Sequence, residues 1–143
     1  LLLEVIQIFR AADEGATAEA VLEYVSSVES GVGDPLGAKV LGAVSSATGV
    51  PVSKIRRGRS ADKSVVDAVS LACYFLFYYA GLSDREAGRV YLGGISGACA
   101  CKKRLAVLNG DYSGERLRAL NSARDRACLS LHKLGVNKRS VAS

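Results

Sequence analysis

The feature that most constrains this chain is a run of fifteen uncharged residues, Ala68 to Leu82, inside a longer stretch from Ala61 to Gly81. Val65, Val66, Val69, Ala72, Cys73, Phe75, Leu76 and Tyr79 make that stretch apolar on most of its faces. A helix of this kind has no polar side to give to water, so it must lie at a centre and be wrapped by other helices. The run is short for a membrane span and carries Tyr74, Tyr78 and Tyr79, which favours a core helix.

Helical punctuation recurs on both sides of it. Leu1, Leu2, Val5, Ile8, Phe9 and Ala12 form a helical stripe that Gly15 breaks, and Thr17 can cap a second helix to about Ser27. Asp34-Pro35 opens a third, which Gly49 closes after Thr48. Ser60 can cap the central helix. Ser83 and Glu86 form a capping box for a short helix to about Leu92. Gly93-Gly94 makes a turn, a helix follows from about Ile95 to Asn109, and Ser113 or Gly114 opens the last one, to about Leu134. The tail beyond Gly135 is expected to fray. No alternating β pattern occurs. The expected fold is one all-α domain of six or seven helices, divided into acidic N-terminal helices (1–34), a core (35–109) and a C-terminal helix with a basic tail (110–143).

Charge is unevenly spread. Residues 1–34 hold seven acids and one cation, a net −6, and residues 35–143 hold eighteen cations and seven acids, a net +11. A basic segment of that size favours a polyanionic partner. Its densest stretch, "VPVSKIRRGRS", brings together Lys54, Arg56, Arg57 and Arg59. Pro51 and Gly58 argue for a loop there, and such close like charges call for counter-ions or phosphates.

Downstream, "YLGGISGACACKKRL" supplies the glycine turn and a second helix, the order of a helix-turn-helix. At about 100° per residue, Ala98, Cys101, Leu105 and Leu108 share one stripe, expected to be buried. Ser96, Ala100, Lys103 and Val107 lie opposite and are expected to face outward, with Cys99 on the flank and Lys102 and Arg104 at the edges.

From about Leu41 to Leu105 the chain resembles the C-terminal DNA-binding domain of the bacterial replication initiator DnaA, within the Trp-repressor-like helix-turn-helix group. The matching residues are Arg59-Ser60 closing the basic loop, then Gly81, Leu82, Ser83, Glu86, Ala87 and Gly88, then Tyr91, Gly93, Gly94 and "CKKRL". The resemblance covers about 65 of the 143 residues. It implies a central helix-turn-helix and double-stranded DNA as the partner. Arg56, Arg57 and Arg59 would meet phosphates and the minor groove. Ser96, Ala100 and Lys103 would face the major groove, with Lys102 and Arg104 on phosphates. Where that family has His-Thr-Thr-Val, this chain has Ile95, Ser96, Gly97 and Ala98, so the origin-box reading does not carry over. No phosphate-loop motif is present, so neither does ATP-driven initiation.

The corresponding biology is regulation of transcription or replication in a bacterium or phage-infected cell, with the protein in the cytoplasm on the nucleoid. The N-terminal helices could mediate a homodimer or hold a protein partner. The alternative is a protein-interaction module that keeps the fold without reading DNA, an alternative supported by the short side chains at 95–100. Cys73, Cys99, Cys101 and Cys128 lack metal-ligand spacing and read as reduced packing residues. His132 has no nucleophile pattern around it, so neither an enzyme, a metal nor a cofactor is expected. With no methionine and Leu-Leu-Leu in front, the first residue reads as internal or processed.

Overall fold

A computed structural model describes residues 35–139. The expected helices of residues 1–34, and the last four residues of the tail, lie outside that range. The described residues are all-helical: α1 (Pro35–Thr48), α2 (Val52–Arg57), α3 (Lys63–Tyr78), α4 (Asp84–Glu86, continued by a π-helical turn, Ala87–Tyr91), α5 (Gly97–Asn109) and α6 (Gly114–Lys133). No strand occurs among them, and no helix among them is long and apolar enough to cross a membrane.

The apolar run forms the centre, as expected. Val65, Ala68, Val69, Leu71, Ala72, Cys73, Phe75 and Leu76 of α3 are all buried. Helices α1, α5, α6 and the short α2 pack around α3, and one hydrophobic core runs through all of them. Fully burying a Leu or Phe side chain contributes about 1.5–3 kcal/mol, so these residues outweigh any single polar contact described below.

Polar ties fix how the outer helices sit. Arg126 of α6 donates to the Ala47 carbonyl at the end of α1, at 2.7 Å. That satisfies a carbonyl the helix itself leaves open. Arg116 pairs with Asp67 of α3, at 2.6 Å. As far as Arg139 the tail folds back instead of fraying: Val136 is buried, and the Arg139 amide donates to the Tyr78 carbonyl at 2.7 Å.

Two element boundaries differ from expectation. The central helix is capped by Asp62, whose carboxylate accepts from the Ser64 amide at 2.9 Å, while Ser60, two residues earlier, accepts from the Asp62 amide. Two capping-type residues lie two apart, and the charged one takes the end of the helix. The basic stretch is also not simply a loop. Pro51 stands just before α2 at φ −58°, ψ 144°, so its restriction falls on Val50, outside the helix. Val52 and Ile55, three residues apart, are buried and anchor the helix. Lys54, Arg56 and Arg57 then fall in its last turn, where cations suit the negative helix end.

Candidate functional site

The site is built where α2, α4 and α5 meet. Ser83 accepts from the Glu86 amide at 3.2 Å and starts α4 as the capping box requires. The helix then widens into the π turn, which buries Ala87, Gly88 and Tyr91. Single π turns inside helices are frequent at functional positions. The Tyr91 ring fills the space a side chain on Gly37 would need, 2.3 Å from an added Cβ, so the corner is keyed into α1.

The turn after Tyr91 is locked to the basic stretch backbone against backbone. An added Cβ on Gly58 would meet the Leu92 carbonyl oxygen at 1.9 Å, and one on Gly93 would meet the Arg57 carbonyl oxygen at 2.0 Å. Both glycines have positive φ, 74° and 66°. No other residue type satisfies both demands at once. The cations at 56–59 are therefore held at a fixed position beside the turn that starts α5.

Helix α5 begins at Gly97, with Ser96 as its cap accepting from the Cys99 amide at 3.1 Å. Ile95, expected in the helix, is buried ahead of it. The face of α5 is the reverse of the expected one. Ala100 and Val107 are fully buried, while Leu105 and Leu108 are 38% and 40% exposed and Ala98 is exposed. Ala100 therefore does not face a groove. Helix α5 packs on α3 through its small side chains, with Cys99 and Lys103 close enough to Cys73 to affect its ionisation. Spacing alone allows either face of the helix to turn inward, and packing against α3 selects the one that carries Ala100 and Val107.

Arg104 is likewise committed internally. Its Nε and Nη2 donate to Asp84 Oδ1 and Oδ2, both at 2.9 Å, and its Nη1 donates to the Tyr78 hydroxyl at 3.1 Å. The guanidinium also lies over the Phe77 ring, 3.8 Å from its centre. The Asp84 hydrogen bonds hold it above the usual arginine range. It joins α5 to α4 and is not placed to serve a phosphate.

The other expected residues divide. Arg59, Ser96 and Lys103 line one cleft of about 290 Å³, together with Ser60, Cys99 and Ile95. Among the described residues neither Arg59 nor Lys103 has a carboxylate partner. Each serine oxygen already accepts from a backbone amide, Ser60 from Asp62 and Ser96 from Cys99, so each keeps its hydroxyl proton for another acceptor. Two cations and two hydroxyl donors suit an anion. Lys54, Arg57 and Lys102 are exposed and lie outside this cleft; Arg56 is half-buried and has a contact of its own.

Two more residues of this corner, Ser60 and Arg85, are not among the expected DNA contacts. Ser60, expected as a helix cap and as the second residue of the Arg59-Ser60 pair, lines the cleft itself. Arg85 sits inside the capping box, and its Cα lies 3.4 Å from an added Cβ on Gly97, at the start of α5. The exposed charge within "SDRE" was the available signal. All four cysteines are free, and among the described residues no group of three His, Cys, Asp or Glu could hold a metal. Comparison with protein-family profiles, with curated proteins and with solved structures gives no match.

Proposed function

We propose that this chain binds double-stranded DNA through the corner formed by α4, the glycine turn and α5, acting as a helix-turn-helix. The observation that carries this reading is the backbone lock between residues 57–58 and 92–93, which sets Arg59 beside Lys103, Ser60 and Ser96. Phosphate oxygens are the acceptors that two cations and two hydroxyls fit best. In this reading Arg59, Lys103, Ser60 and Ser96 grip the backbone, and the exposed Lys54, Arg57, Arg85 and Lys102 extend the positive surface. With Ala100 buried and Arg104 engaged, no long side chain at the start of α5 reaches base edges. Affinity then comes mainly from phosphates, and sequence preference is weak.

The test is duplex binding as a function of salt. Affinity should fall with a log–log slope of about −0.9 per phosphate neutralised. Arg57→Ala combined with Arg59→Ala should abolish binding, and Lys103→Ala should lower the slope by about one. A double variant that binds as tightly as the parent would remove the reading.

One observation favours a protein-interaction module instead. Leu105 and Leu108 lie exposed on α5, beside exposed Ala98 and half-buried Cys101. This apolar stripe sits on the helix the DNA reading needs. Absence of duplex binding even at low salt would leave the protein-interaction reading in place.

A further inference from the structure

A second cleft, of about 470 Å³, opens away from the basic corner, where the end of α3 meets α6 and the tail. It gathers Tyr79, Cys128, His132 and Asn137, with Asp125 and Lys138 of opposite charge on its wall. Cys128 and His132 stand one turn apart on the same face of α6. The Tyr79 hydroxyl lies 3.1 Å from Cys128 Sγ, and His132 Nδ1 lies 2.7 Å from Asn137 Oδ1. A carboxamide oxygen can only accept, so in the neutral ring Nδ1 holds the proton and Nε2 the lone pair. A thiol, a base and a group that orients the base are the parts of an activated nucleophile. The phenol supplies a donor to the sulfur once it is ionised.

We propose that Cys128 is a nucleophilic thiol that exchanges with a small zwitterionic disulfide of the glutathione type. The cleft has the volume of a small-molecule site. Asp125 and Lys138 match the ammonium and carboxylate of such a ligand. His132 Nε2, one turn along α6, takes the thiol proton by way of a bridging water, and the thiolate attacks one sulfur of the disulfide. The new S–S bond forms as the old one breaks. The departing thiolate recovers the proton from the imidazolium and leaves as a thiol. Cys128 is thereby oxidised to a mixed disulfide and half of the small disulfide is reduced, with no other reactant required. Tyr79, just past the end of α3, touches the sulfur, and Asp125 and His132 from α6 and Lys138 from the tail line the same cleft, with Tyr74 and Arg124 acting on Tyr79.

The experiment exposes the whole chain to limiting oxidised glutathione and follows adducts by intact mass and peptide mapping across pH. Cys128 should be modified first, about tenfold faster than Cys99 or Cys101, which are half-buried as it is. His132→Ala should slow the reaction about tenfold near neutral pH and move the rise in rate to higher pH, and Asn137→Ala should move it partway. Both residues are exposed, so these variants keep the core. Equal rates at Cys99, Cys101 and Cys128, or an unchanged pH profile in His132→Ala, would overturn the proposal.

Discussion

Arg104 of α5 grips Asp84 of α4 with two parallel hydrogen bonds, each 2.9 Å, in a setting where the two side chains are only 11% and 16% exposed. Removing one partner of a buried pair strands the other charge, a loss of about 3–5 kcal/mol when burial is complete. Residual solvent lowers that here, so Arg104→Ala should cost about 2–3 kcal/mol in urea unfolding. Arg104→Lys keeps the charge but loses the fork, and should fall between. If Arg104→Ala unfolds at the parent's urea midpoint yet loses duplex affinity, Arg104 belongs to the DNA surface after all.

The reversed face of α5 gives a second prediction. Ala100 is fully buried between α5 and α3, so Ala100→Leu should overpack the contact and cost about 1–3 kcal/mol. Leu105→Ala and Leu108→Ala remove side chains that are 38% and 40% exposed, and should each cost about 1 kcal/mol or less. Thermal or denaturant unfolding of the three variants decides it. The opposite ranking would restore the face expected from the helical wheel.

Why one level of the structure was readable and the next was not follows from these residues. The apolar run in α3, the Ser83–Glu86 box and the glycine turn are local signals, and each produced its element. Ala100 and Arg104 are decided by what lies across an interface. Whether Ala100 or Leu105 turns inward depends on how near α3 comes, and a single helix does not contain that distance. Arg104 reads as a surface cation until Asp84, twenty residues earlier, is brought beside it. The same holds for Arg59 and Lys103, which converge only because Gly58 and Gly93 let two backbones touch.

That touch separates two neighbouring glycines. Gly93 and Gly94 both have positive φ, 66° and 81°, so alanine at either pays about 1 kcal/mol in backbone strain. Only at Gly93 does the new Cβ strike backbone, the Arg57 carbonyl oxygen at 2.0 Å, whereas at Gly94 nothing lies within 4 Å. Gly93→Ala must push the turn away from the basic stretch, and should lower stability further and reduce duplex affinity. Gly94→Ala should bind as the parent does. Equal affinities for the two variants would mean that the lock does not position the cations.

Cys73 makes the fold sensitive to alkali. It is fully buried in α3, and burial pushes its thiol up to about 12 from an ordinary 9.0, with nearby Lys103 opposing. Below pH 9 the thiol is protonated in both the folded and unfolded chain, and the stabilisation is complete. As pH rises from 9 toward 12 the unfolded chain ionises first, so unfolding releases a proton and becomes easier. The full loss is about 4 kcal/mol, reached as pH passes the folded value. Cys73→Ala removes this dependence at the cost of a small, pH-independent cavity. Denaturant midpoints at pH 8 and pH 11 should therefore show the parent's advantage over the variant shrinking as pH rises. Tyr79, also raised by burial, titrates alike in both proteins and cancels from the comparison. A difference that stays constant across that range would show that Cys73 is not held neutral by the core.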